Sequence, residues 1–165
     1  MSGVGAQSSP RLARLRAEIR DDRRAFDKRI AELAKLPTDG GWDSGACAIA
    51  AVALHGGYGA IESAIERVTR SLEGDLPTSP NWHRELLHGA TLEIEGVRPP
   101  IISESTERVL KQILGFRHFF RHAYAADLDF VQLQPLVKRL LEAAPALAAE
   151  LDAFDLFLSL ACAPV

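Results

Sequence analysis

The sequence predicts an all-α protein, an up-and-down bundle built from a few long helices. Apolar residues recur every three or four positions over most of the chain, which is the spacing of one helix face. No segment shows the alternation typical of a strand, and no hairpin turn signal is present. The chain has 165 residues, of which 47% are hydrophobic, so it can bury one sizeable core. We therefore expect a single helical domain over residues 1–165, with 1–10 disordered.

The first two helices are separated by a turn at 37–41. An amphipathic helix is predicted from about Arg11 to Leu36, because its apolar residues are spaced by charged ones. Asp43 or Ser44 can then cap a second helix that ends at Leu72. Three glycines inside this helix match neither of the common phosphate-loop patterns, so we predict close packing against a neighbouring helix at Gly56, Gly57 and Gly59.

Three further helices follow the break at 74–77. A short helix is predicted after the cap-like residues 79–81, and Ser103 or Ser105 can cap a fourth helix. Asp127 and Asp129 mark the start of another amphipathic segment, which Pro135 opens or kinks. Pro145 is expected to separate that segment from a last helical piece reaching about residue 161.

Composition excludes some classes of function. A net charge of -3 argues against a strongly basic, non-specific nucleic-acid binder, although a local cationic cleft is compatible with an acidic surface. Cys47 and Cys162 are too few for a disulfide framework or a thiolate metal site. No apolar run approaches the roughly 18 residues of a membrane span, and the N-terminal segment does not resemble a signal peptide. We expect a cytoplasmic protein without a membrane or cofactor association.

A polar cluster interrupts the apolar pattern near the end of the fourth helix. On helical geometry Arg117, Arg121 and Tyr124 share one stripe, with His118 and His122 on the adjacent one. Polar groups in a core helix cost stability unless they are paired. Their concentration here therefore indicates a functional site.

Arginine and histidine together can cleave RNA without a metal. An imidazole titrates near neutral pH, so it can accept the proton of a ribose 2′-hydroxyl or donate one to the leaving oxygen. A guanidinium can stabilise the additional negative charge of the transition state. Arg117 and His122 are separated by a helical rise of roughly 7.5 Å and can converge on one phosphate. Tyr124 could hold the ribose or the phosphate, the product would be a 2′,3′-cyclic phosphate, and cleavage should persist with a chelator.

The spacing Arg117-His118-x-x-x-His122-x-Tyr124 resembles the RX4HXY motif of the HepT-like HEPN ribonucleases. The segment 82–87, which reads Trp-His-Arg-Glu-Leu-Leu and follows the helical segment Tyr58 to Glu66, is also similar to that family. The resemblance covers roughly residues 42–144, the expected HEPN-like core. The first helix then counts as an N-terminal addition, and the chain after Pro145 as a helical C-terminal extension.

This resemblance implies a homodimer of four-helix bundles in which two motifs face each other and form one RNA-cutting cleft. The substrate would be an RNA such as tRNA or mRNA. Family members are commonly toxins or phage-defence effectors, paired with a nucleotidyltransferase antitoxin that can attach AMP to the motif tyrosine. By position, Arg117 and His122 are the catalytic pair, and Tyr124 is a substrate contact and the AMPylation site.

The remaining residues of the motif have supporting roles under the same resemblance. His118 and Arg121 would contact the substrate, although an arginine directly before the motif histidine departs from the expected pattern. Glu62 or Glu66 would occupy the acidic position of the second helix. No metal ligand is implied.

Other interpretations of the same residues remain open. The protein could be a non-catalytic HEPN-like binding module for a nucleotidyltransferase or another protein. Arg117 could simply pair with Glu62, Asp127 or Asp129, and Tyr124 could be an ordinary bundle tyrosine. His118 and His122, four residues apart, could ligate zinc. The histidines outside the motif are assigned structural roles: His55, His83 and His88. Of these, His83 is expected to pack on Trp82.

Overall fold

Five helices make up the part of the chain that the structure describes. The computed structural model describes residues 8–120 and 128–162. The helices are, in chain order, α1 (Ser8–Leu33), α2 (Ser44–Leu72), α3 (Trp82–Thr91), α4 (Glu104–Phe120) and α5 (Phe130–Ala161). No strand occurs in these ranges, where the one β-type contact is an isolated bridge between Ile94 and Arg98. The all-helical prediction is confirmed.

Three predicted caps form at the helix starts. Asp43 accepts a hydrogen bond from the backbone of Ala46 at 2.7 Å, which fixes the start of α2. Ser103 Oγ accepts from the backbone of Thr106 at 3.3 Å at the start of α4. The side chain of Asp129 accepts from the backbone of Val131 at 3.1 Å at the start of α5. Each cap satisfies one of the backbone donors that a helix N-terminus leaves unpaired.

Helix α2 lies at the centre of the bundle and contacts each of the other four helices. Its buried face continues from Cys47 to Thr69. Among the described helices, α2 is the one whose length and apolar composition would suffice to cross a membrane, and a central core helix has the same properties. Because α2 is surrounded by the other helices, a polar side chain on its buried face lies inside the bundle.

The α1–α2 contact is the most extensive between any two helices in the described ranges. A Cβ atom on Gly56 would lie 2.7 Å from Nε of Arg29, and one on Gly57 would lie 3.6 Å from Cβ of the same arginine. The predicted close packing is therefore present at Gly56, whereas a Cβ at Gly57 would make only ordinary van der Waals contact. The prediction was wrong for Gly59, where a Cβ would meet nothing within 4 Å.

Helix α5 corrects the prediction that Pro145 divides it. The helix is continuous from Phe130 to Ala161, with Pro135 and Pro145 inside it. Its buried residues recur at alternating intervals of four and three across both prolines: Leu133, Val137, Leu140, Ala144, Leu147, Leu151, Phe154 and Leu158. Both proline side chains are exposed, so the carbonyls that lose a backbone partner lie on the solvent side. Burial of the continuous apolar stripe outweighs the cost of the prolines.

The connection from α3 to α4 is held by the buried side chain of Arg98. Its Nε donates to Glu73 Oε1 at 2.6 Å. Its Nη1 donates to the carbonyls of Leu92 and Pro99, at 2.8 and 3.1 Å, and its Nη2 donates to that of Gly89 at 3.0 Å. Because Glu73 is the C-cap of α2, this arginine ties the end of α3 to the end of α2. Through these hydrogen bonds, Arg98 helps to fix α3 against the central helix α2.

Candidate functional site

A buried carboxylate on α2 joins three helices. The side chain of Glu62 is only 6% exposed, and a carboxylate so buried is costly unless it is hydrogen-bonded. Its Oε1 accepts from Arg117 Nη1 at 2.5 Å. Its Oε2 accepts from the hydroxyl of Tyr58 at 2.7 Å and lies 2.5 Å from Nδ1 of His83. We call these four residues the Glu62 cluster.

The helices place the members of the Glu62 cluster by simple geometry. Tyr58 and Glu62 are four residues apart on α2, so both project from one face of that helix. His83 lies in the first turn of α3, and Arg117 lies in the last turn of α4. A cation near a helix C-terminus is favoured by the helix dipole, so this position suits Arg117.

Electrostatics keep the Glu62 carboxylate ionised. Burial acts to raise the pKa of Glu62, but hydrogen bonds from Tyr58, Arg117 and His83 together outweigh it, so this pKa lies below its usual value. For Tyr58, burial and the hydrogen bond to Glu62 raise the pKa far above its usual range. The tyrosine therefore stays protonated and acts as a donor to a charged acceptor.

Arg117 is held on two sides within the Glu62 cluster. Its guanidinium carbon lies 5.2 Å from the centre of the Tyr58 ring, a distance at which a cation is attracted to the ring face. The Nε donor of Arg117 is buried and has no hydrogen-bond partner in the ranges 8–120 and 128–162. The side chain as a whole is 18% exposed. A guanidinium fixed in this way is suited to binding an anion.

A row of aromatic rings connects the Glu62 cluster with the protein surface. The ring of His83 stacks on that of Trp82, with the ring centres 3.6 Å apart. The ring of exposed His118 stands edge-on to the ring of His83 at a centre distance of 6.0 Å. His118, predicted as a substrate contact, therefore lies next to the cluster and open to solvent.

The other predicted site residues divide into two groups. Arg121, His122 and Tyr124 lie outside the described residues, so the convergence of Arg117 and His122 on one phosphate stays a prediction. Of the two acidic candidates on α2, Glu62 contacts Arg117, whereas the Glu66 carboxylate lies 3.8 Å from Arg70 on the same helix.

His83 is the cluster residue that sequence reasoning assigned only to packing. Packing on Trp82 is confirmed, but the same ring also binds Glu62. The signal in the sequence was indirect, since Glu62 lies between apolar residues of α2 and would need several donors once buried. Which side chains supply those donors depends on how α3 packs against α2, which helical periodicity does not reveal.

The alternative assignments have different outcomes. The predicted pairing of Arg117 with Glu62 is present, whereas Asp129 caps α5. No group of three or more histidine, cysteine, aspartate or glutamate side chains that could hold a metal ion occurs within residues 8–120 and 128–162. His55 packs on Phe120 with ring centres 5.6 Å apart, and Nδ1 of His88 lies 3.5 Å from Glu107.

Comparison with protein families gives one match. A family model described as HepT-like protein matches residues 48–158, which is more than half of the chain. The matched range contains the whole Glu62 cluster and extends beyond residue 144. No curated protein and no solved structure gives a match.

Proposed function

Because the chain belongs to the HepT-like family, we propose that it is a metal-independent endoribonuclease whose site is built on Arg117 and His122. Its all-helical fold is that of a HEPN-type bundle with extra helical segments at both ends. Family membership supports ribonuclease chemistry in general terms. The residue roles that follow are part of the proposal.

The orientation of Arg117 is the observation that carries the proposal. Glu62 Oε1 binds one end of the guanidinium at 2.5 Å, and the Tyr58 ring lies beneath it. A cation whose position is fixed before substrate binds needs little reorganisation when negative charge develops on a phosphate. An ionised, buried Glu62 therefore supports a role for Arg117 in stabilising a transition state.

The proposed reaction is an internal transfer of the phosphate diester. His122 accepts the proton of a ribose 2′-hydroxyl, and the resulting oxygen attacks the adjacent phosphorus. Arg117 stabilises the additional charge on the phosphate oxygens. The bond from phosphorus to the 5′-oxygen breaks, and that oxygen takes a proton from His122 in its protonated, imidazolium form. The products are a 2′,3′-cyclic phosphate and a 5′-hydroxyl, and no metal takes part.

A homodimer completes the proposed site. Exposed apolar side chains occur on α2 and α4, with Val52 at 50% and Phe119 at 44% exposure. The contact between His55 and Phe120 shows that these parts of the two helices are neighbours. These exposed apolar side chains support an isologous contact through α2 and α4, and the proposal is that this contact brings two Arg117 residues close together.

The proposal assigns the remaining motif residues to substrate binding and regulation. His118 and Arg121 contact the RNA, which could be a tRNA or an mRNA. Tyr124 orients the substrate and accepts AMP from a nucleotidyltransferase antitoxin, and the added group would block the cleft. On this account the protein acts in the cytoplasm as the toxin of a toxin–antitoxin pair. An intact mass of the protein made with and without that enzyme tests the modification.

Substitution tests the catalytic assignment. We expect Arg117→Ala and His122→Ala each to lower RNA cleavage by about 100-fold or more, since acid–base groups and charge-stabilising donors contribute on this order. Arg108→Ala is the matched control, because its side chain lies on the same helix and is 68% exposed. His122→Ala cutting RNA as fast as the parent would contradict the assignment.

The second candidate is a non-catalytic helical module that binds a nucleotidyltransferase or another protein. The pairing of Arg117 with Glu62 favours it, because a structural ion pair accounts for the burial of both charges without any chemistry. In this case neither the parent nor Arg117→Ala cuts RNA, and the substitution changes affinity for the partner. Binding and cleavage measured on the same two proteins separate the candidates.

A further inference from the structure

We propose that His83 is a positioning residue of the ribonuclease site, where it fixes the Glu62 carboxylate and, through it, the guanidinium of Arg117. The inference rests on the proposed function. The packing of His83 on Trp82 does not account for its contact with the buried carboxylate on α2.

The division of donors between the two oxygens of Glu62 supports this role. Tyr58 and His83 both bind Oε2, whereas Arg117 binds Oε1. Two donors on one oxygen set the plane of the carboxylate, and the other oxygen is thereby aimed at the arginine. The tyrosine belongs to the same helix as Glu62, so its bond alone does not relate α2 to another element. The bond from His83 links the carboxylate to α3.

The ring of His83 is itself held in place. Its stack on Trp82 and its position in the first turn of α3 restrict its rotation, and its side chain is only 15% exposed. An ionised carboxylate has no proton to donate, so Nδ1 must carry the hydrogen of this contact. His83 therefore acts as a fixed donor aimed at Glu62. The exposed ring of His118 stands edge-on to it, with the ring centres 6.0 Å apart.

Two substitutions separate hydrogen bonding from packing. His83→Phe keeps a ring for the stack on Trp82 and removes the donor. His83→Asn loses the ring but places an amide donor near the position of Nδ1. We expect His83→Phe to lower kcat for RNA cleavage by about tenfold or more with little change in KM, because a displaced Arg117 loses transition-state stabilisation. His83→Asn should stay within about threefold of the parent.

A spectroscopic readout reports on Arg117 independently of cleavage. The guanidinium Nε–H signal of Arg117, assigned by its loss in Arg117→Lys, should shift in His83→Phe and stay in place in His83→Asn. Far-UV circular dichroism shows whether each variant is folded. If His83→Phe does not fold, His83→Gln replaces it, because its amide corresponds to Nε2 and is directed away from Glu62.

Several results would overturn the inference. An active His83→Phe beside an inactive His83→Asn would show that only packing matters. Loss of activity in both variants with an unchanged Arg117 signal would place His83 in direct contact with RNA. A parent protein that cuts no RNA refutes the proposed function and this inference together. If the parent cuts RNA and His83→Phe cuts it equally well, the inference alone is refuted.

Discussion

Replacing Glu62 by alanine should expose how strongly the Glu62 cluster depends on one carboxylate. The substitution removes the shared acceptor and leaves three donors without it. Removing one partner of a buried ion pair costs about 3–5 kcal/mol, chiefly because the other charge stays buried and uncompensated. Glu62→Ala therefore tests how much the buried carboxylate contributes to the stability of the cluster.

Exposure of the three donors sets the expected size of the effect. Tyr58 is 1% exposed and cannot turn its hydroxyl to water, which costs about 1–3 kcal/mol for one unsatisfied group. The side chains of Arg117 and His83 are 18% and 15% exposed, so both can recover part of their hydration. We expect a loss near the lower end, about 3 kcal/mol. For a chain of this length that corresponds to a fall in Tm of about 6–12 °C.

Urea unfolding followed by far-UV circular dichroism measures this loss. The transition midpoint should fall while the slope m stays unchanged, because the same surface is exposed on unfolding. Glu66→Ala is the matched control, one turn along α2, where the carboxylate lies 3.8 Å from exposed Arg70. Its cost should not exceed about 0.5 kcal/mol. A Glu62→Ala protein as stable as this control would refute the reasoning.

Four further predictions concern Arg98, Pro145 and the pH dependence of the Glu62 cluster. Arg98→Ala should cost about 1–3 kcal/mol in urea unfolding, because it leaves three carbonyls without their donor while Glu73 stays partly exposed to water, and a loss below about 0.5 kcal/mol would argue against this role of Arg98. Pro145→Ala should raise the unfolding free energy by up to about 3 kcal/mol, since an exposed interior proline disfavours a helix; a destabilised variant would contradict the continuity of α5. The lowered pKa of Glu62 adds stability that is present above its usual pKa of 4.5 and is lost as the pH falls below it. The raised pKa of Tyr58 adds stability that is present below pH 10.0 and is lost as the pH rises above it, so Tyr58→Phe should reduce the alkaline loss in a pH series of Tm values.

The helical class and most helix ends could be predicted from the sequence because they depend on local signals. Caps at Asp43, Ser103 and Asp129 mark positions where a side chain meets nearby backbone donors. Pro145 is also a local signal, but the helix break predicted from it was wrong, because α5 continues through this residue. The apolar stripe of α5 packs on other helices, and that tertiary contact outweighs the local preference.

In the candidate site, too, features within one helix could be predicted from the sequence, whereas contacts between helices could not. The Arg117 and His118 part of the motif was identified from spacing within one helix. His83 was missed because its contact with Glu62 joins residues 21 positions apart on two different helices. Glu62 was one of two acidic candidates, and only the packing of α4 against α2 distinguishes it from Glu66. The motif residues within 121–127 lie outside the described residues, so their roles remain predictions.

The most direct test of the central claim is cleavage of total cellular RNA by the purified protein in EDTA, with His122→Ala beside it and the new RNA ends identified. The account predicts that the parent alone cuts RNA and leaves 2′,3′-cyclic phosphate and 5′-hydroxyl ends. Cleavage that EDTA abolishes, equal cleavage by His122→Ala, or no cleavage by a folded, dimeric and unmodified parent would each contradict it.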